Sequence, residues 1–126
     1  MHDCSQVILV VDDDPDIRTA LRHLLEDEGY GVTTASDGQA ALECLEKMEP
    51  PCLILLDLMM PRMDGWQFLL RRENNPTLGK IPVVVVSAYA DLPLAGRHEA
   101  ALSKPIDMGK LLSVVRRNCD ETTPVH

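Results

Sequence analysis

Val7-Ile8-Leu9-Val10-Val11 is an unbroken apolar run, and Asp12-Asp13-Asp14-Pro15 follows it directly. A short run that does not alternate with polar residues reads as a strand buried on both faces of a parallel sheet. The same grammar recurs downstream: Cys52-Leu53-Ile54-Leu55-Leu56 closes on Asp57, and Val83-Val84-Val85-Val86 is followed by Ser87. Helical patterns lie between these runs. Ile17, Ala20, Leu21, Leu24 and Leu25 recur at i, i+3, i+4, i+7 and i+8, with Asp14 as N-cap, Pro15 at the first helical position and Gly29 as the stop. Ala41, Leu42, Leu45 and Met48 predict a second helix ending before Pro50-Pro51, and Trp66, Leu69 and Leu70 a third after the Asp64-Gly65 turn. Met108, Leu111, Leu112 and Val115 predict a last helix capped by Asp107. Val32 to Ala35, alternating with Thr, reads as an edge strand, and Ala100 to Ser103 as a short fifth strand.

Strands alternating with helices through short connections call for right-handed crossovers and helices on both faces of the sheet. The expectation is an α/β fold of three layers: a doubly wound five-stranded parallel sheet in the flavodoxin-like order 2-1-3-4-5. Its switch point lies between the first and third strands, where Asp12, Asp13 and Asp57 gather. No repeat, low-complexity segment or linker interrupts the 126 residues, so one domain is expected over 1–126, with a core of about 6–119 and a frayed tail at 120–126.

Composition narrows the partners. Twenty Asp and Glu against 12 Lys and Arg give a formal charge of −8, which disfavours unassisted binding to nucleic acid or an anionic membrane. No apolar stretch approaches the ~20 residues of a spanning helix. Cys4, Cys44, Cys52 and Cys119 form no C-x-x-C pair and two fall in apolar segments, so reduced thiols in a cytoplasmic protein are expected, without a disulfide framework. His2, His23, His98 and His126 lack metal-ligand spacing.

Carboxylates at the ends of neighbouring parallel strands repel one another unless a cation or proton sits among them. Magnesium (or manganese) suits such a site: Asp13 and Asp57 as direct ligands, Asp12 through water, with phosphate oxygens completing the shell. A carboxylate can also act as the nucleophile in phosphoryl transfer when cations and donors meet the charge on the transferred oxygens. Ser87 and Lys104, each following a strand, would face the same crevice.

Four separated motifs, in order, now carry a resemblance: Val10-Val11-Asp12-Asp13-Asp14-Pro15, Leu56-Asp57-Leu58-Met59-Met60-Pro61-Arg62-Met63-Asp64-Gly65, Val86-Ser87-Ala88 and Lys104-Pro105. Over nearly its whole length the chain resembles the receiver domain of two-component response regulators, and it is read as one that stands alone. The resemblance implies a magnesium-dependent phosphoacceptor that takes a phosphoryl group from a histidine kinase or histidine phosphotransfer protein and signals to a downstream protein. It makes Asp57 the acceptor, Asp12 and Asp13 the metal-holding pair, Met59 a backbone carbonyl ligand, Ser87 the switch hydroxyl and Lys104 the phosphate-binding amine. It also implies a cis peptide before Pro105, which X-Pro bonds permit.

Two departures from that pattern stand out. Three residues before the lysine, where the family carries Tyr or Phe, this chain has Ala101. The stretch from Ala88 to Ser103 is short and holds Pro93 and Gly96, so the fourth of the expected helices should be one turn or missing. Because the fourth helix, fifth strand and fifth helix form the usual output surface of receivers, an altered partner face follows. The alternative function is a receiver-like adapter or scaffold that works without phosphorylation. A phosphohydrolase acting on external substrates is disfavoured because Met59, two residues after the acceptor, cannot exchange a proton. A flavin site is disfavoured for want of a phosphate loop after the first strand. The chain is therefore read as a signalling phosphoacceptor and not as an enzyme.

Overall fold

A computed structural model describes residues 6–57, 67, 70, 71, 74–76, 78–87, 100–103 and 107–119, with backbone alone at 78, 87 and 100–103. Five strands, β1 (Val7–Val11), β2 (Gly31–Ala35), β3 (Leu53–Asp57), β4 (Val83–Ser87) and β5 (Ala100–Ser103), form one sheet. Their order is β2-β1-β3-β4-β5, and every neighbouring pair is parallel. Among the described residues the complete α-helices are α1 (Pro15–Asp27), α2 (Gly38–Lys47) and α3 (Met108–Cys119). Every strand foreseen in the sequence is present, and the expected edge position of β2 holds.

Strand alternation divides the core into two layers. Leu9, Val11, Ile54, Leu56, Val83 and Val85 pack with Ala41 and Leu45 of α2. Ile8, Val10, Leu53, Leu55 and Val84 pack with Leu21 and Leu25 of α1 and Leu111, Val114 and Val115 of α3. Sheet residues on both faces are thus removed from water, which explains the continuous apolar runs. Each buried Leu, Ile or Val contributes about 1.5–3 kcal/mol relative to exposure, so this two-sided burial fixes the strands firmly. Gln67, Leu70 and Arg71 are helical, in the stretch where a third helix was expected, and Leu70 is 51% exposed. Among the described residues no helix is long and apolar enough to cross a membrane.

The helix ends follow local chemistry. Asp14 accepts from the Asp16 amide, Asp37 from the Ala40 amide and Asp107 from the Lys110 amide, so each helix opens on a carboxylate cap. Of these three, Asp37 is the one the sequence pattern did not single out. α1 closes in a Schellman arrangement: Tyr30 N donates to Leu25 O at 3.1 Å and Gly29 N to Glu26 O at 3.0 Å, with Gly29 at φ +98°. Tyr30, 6% exposed, tucks into the α1/α3 layer beneath this turn.

Two cysteines correct the sequence expectation. Cys52, just before β3, and Cys119, the last residue of α3, form a disulfide across 67 residues, with a Cα–Cα separation of 5.4 Å. Chain spacing carried no hint of it, because the packing of α3 under the start of β3 brings the two together. Cys44 is a free, partly buried thiol. The expected short or missing helix between Ala88 and Ser103, the cis peptide at Pro105 and the tail at 120–126 lie outside the described residues.

Gly29 yields a direct test. A Cβ at this position meets nothing within 4 Å, so the penalty for Gly29→Ala is conformational alone. Urea unfolding of that variant should show a loss of roughly 1 kcal/mol with an unchanged m-value, and Gly29→Asn should lose less.

Candidate metal and phosphoacceptor site

The sheet register builds the site. Val11 pairs with Leu56, and Asp57 with Val86, so the residues that end β1 and β3 stand side by side at one edge. Ile8 and Val10, like Leu53 and Leu55, face the α1/α3 layer. Asp12 and Asp57 are the next members of those two series and leave the sheet on the same side. The result is that carboxylate oxygens of Asp12, Asp13 and Asp57 lie within 4.8 Å of one another. Asp12 is 3% and Asp57 5% exposed, whereas Asp13 opens to solvent.

Hydrogen bonds hold the β1–α1 connection in this shape. The Asp12 amide donates to Ala35 O at 3.1 Å, carrying the β1/β2 ladder one residue past the strand. Asp12 Oδ1 accepts from the Asp14 amide at 2.9 Å, and Asp14 Oδ1 accepts from the Asp16 amide at 2.9 Å. The acidic triplet therefore divides its work: Asp14 caps α1, Asp12 braces the loop and faces the cluster, and Asp13 supplies the outer carboxylate. One contributor was not foreseen. Arg18, one turn into α1, returns its Nη1 to donate to the Asp12 carbonyl at 2.6 Å. No sequence rule ties residue 18 to residue 12; the contact arises because α1 runs back across the end of β1.

Ionised carboxylates brought this close repel one another. A hard divalent cation relieves that repulsion. Three carboxylates with two of them held by buried strand ends are the donor set that magnesium or manganese accepts, with waters left on the open side. The backbone of Ser87 ends β4 next to Asp57, one residue beyond the Asp57–Val86 pair. Met59, Lys104 and the side chain of Ser87 lie outside the described residues, so of the expected site residues the structure brings together Asp12, Asp13 and Asp57.

Comparison with known proteins agrees with the fold. The family model for the response regulator receiver domain matches residues 8–116. A 14.6 kDa protein of Leptolyngbya boryana, described as uncharacterized and encoded in the sodA1 3' region, is 40% identical over 117 residues, covering 89% of this chain and 88% of that protein. Response regulator MprA of Mycolicibacterium vanbaalenii is 37% identical over 122 residues, covering 93% of this chain. The match takes in 52% of MprA, so the chain spans about half the length of that relative. Among solved structures, the signal receiver domain of a histidine kinase from Syntrophus aciditrophicus superposes with a TM-score of 0.84 at 28% identity, covering 96% of this chain and 95% of the other. Response regulator TrrA from Thermotoga maritima, solved in complex with Mg(2+)-BeF, gives a TM-score of 0.78 at 26% identity, covering 89% and 97%. On these matches and on a sheet with its acidic residues at one edge, the chain belongs to the response regulator receiver domain family.

Proposed function

We propose that this chain, as a single receiver domain over 1–126, is the phosphoacceptor of a two-component phosphorelay, taking a phosphoryl group from a histidine kinase or histidine phosphotransfer protein onto Asp57. The phosphorylated chain signals by binding a downstream protein, and a cytoplasmic location suits such partners. The observation that carries this reading is the approach of the Asp12, Asp13 and Asp57 carboxylates to within 4.8 Å at the end of a buried sheet.

Asp12, Asp13 and Asp57 would hold Mg2+ or Mn2+ together with the Met59 carbonyl. When bound, the ion supplies the positive charge that offsets the phosphoryl oxygens. The remaining work falls to the chain. Asp57 presents a carboxylate oxygen whose position is set by β3, buried along all five of its residues. That oxygen attacks phosphorus in line as the bond to the donor nitrogen breaks, leaving an aspartyl phosphate on this chain and a neutral histidine on the donor. The Ser87 hydroxyl and Lys104 amine are assigned to the transferred oxygens. Arg18 acts one step back, as a positioning residue that holds the Asp12 carbonyl and with it the loop.

A phosphorylation-independent adapter is the second reading, favoured by Ala101 in place of the family's aromatic. The two separate cleanly. With Mg2+ and acetyl phosphate or phosphoramidate, wild type should gain one phosphoryl group by intact-mass measurement and Asp57→Asn none; an unmodified wild type leaves the adapter. Asp13→Asn should weaken Mg2+ binding by roughly tenfold or more, read by titration of the apo protein, because one of the hard anionic donors is gone. Finally, Met59 offers no group to orient the hydrolytic water, so Met59→Asn or Met59→Asp should speed loss of the aspartyl phosphate several-fold, by about 1 kcal/mol in barrier. An unchanged dephosphorylation rate counts against that account.

A further inference from the structure

β3 carries chemistry at both of its ends. Asp57 lies at one, and the Cys52–Cys119 bond lies at the other, joining the floor of the sheet to the last residue of α3. Cys119 is fully buried, whereas Cys52 is partly exposed and lines a cavity of about 430 Å³ with Pro50, Pro51, Ile81, Pro82 and Lys80. The cavity gives an external thiol access to Cys52 and denies it Cys119. Lys80 in its wall adds a positive charge, which favours the thiolate that exchange requires.

A second observation lies in the same corner. Gln6 Nε2 donates to the Cys119 carbonyl at 3.3 Å, while Gln6 Oε1 is buried and has no hydrogen-bond partner among the described residues. Reduction would leave α3 in place, because Leu111 and Val115 are fully buried against the sheet.

We propose that Cys52 and Cys119 form a reversible thiol–disulfide site, opened by a small dithiol or dithiol protein that enters through the cavity beside Cys52. The reductant's thiolate attacks Cys52 Sγ, the sulfur–sulfur bond breaks, and Cys119 leaves with the electron pair and takes a proton. The reductant's second sulfur then displaces Cys52 from the mixed disulfide. One protein disulfide and one dithiol become two protein thiols and one oxidised dithiol. The consequence is confined to the last turn of α3, Arg116 to Cys119, which loses its tether to β3. That turn also carries the Arg116–Glu28 ion pair to the end of α1, at 2.9 Å, a surface contact too weak to replace a covalent link.

The test uses the full chain with Cys4→Ser and Cys44→Ser, so that only this pair titrates. The protein is equilibrated in mixtures of oxidised and reduced dithiothreitol, alkylated with N-ethylmaleimide and weighed. We expect species with no label or two labels along a single two-electron curve, and unchanged far-ultraviolet circular dichroism at both ends. Amide hydrogen exchange over 116–119 should be roughly tenfold faster or more in the reduced form, and Cys52→Ala with Cys119→Ala should reproduce it. Two labels in the most oxidising mixture, or loss of helical signal on reduction, would overturn the proposal. Phosphoryl labelling of Asp57 in the same samples reads the other end of β3: its loss in both redox states sinks the phosphoacceptor reading and leaves this one standing.

Discussion

Holding two buried carboxylates and one exposed carboxylate within 4.8 Å is the constraint around which this molecule is organised. Like charges this close repel, and the fold has to oppose their separation. The opposing force is the burial of β1 and β3, in which Ile8, Leu9, Leu53, Ile54 and Leu56 are fully enclosed. The hydrophobic core spends part of its stability on keeping an electrostatically unfavourable edge intact, and a ligand that neutralises the edge returns it.

The same logic explains why the loop after β1 is so heavily bonded. A connection carrying three consecutive acidic residues has every reason to spread. Here the Asp12 amide is held by β2, the Asp12 carbonyl by Arg18 and the Asp12 carboxylate by the Asp14 amide. Arg18 is well suited to this, since its guanidinium delivers a positive charge to the cluster's backbone without occupying a place among the carboxylates. Its donor meets the Asp12 carbonyl and not a carboxylate oxygen, so the contact holds the loop without using up a metal donor.

How much of this was legible in the sequence depended on whether the determinant was local. Strands β1, β3 and β4 were readable because burial on both faces leaves an unbroken apolar run, and α1 because its N-cap, its N1 proline and its C-terminal glycine all fall where helix chemistry requires them. Parallel order and the meeting of Asp12 with Asp57 followed from topology, given those elements. The Arg18 contact and the Asp37 cap were not singled out, the first because it depends on the angle of α1 over the sheet. The disulfide was misread for the same reason on a larger scale: residues 52 and 119 are distant along the chain, and only the packing of α3 brings them together.

A switch in such a molecule must act through whatever can move. The interior of the sheet cannot: Val83, Val84 and Val85 are fully buried, as are their neighbours in β3, and close-packed layers do not deform continuously. β5 pairs with β4 in register, with Ala101 opposite Val85. An alanine has no side-chain rotamer beyond its methyl, so position 101 cannot report the state of Asp57 by turning a ring between two orientations. If phosphorylation alters a distant face of this chain, a rotamer change at position 101 does not carry it.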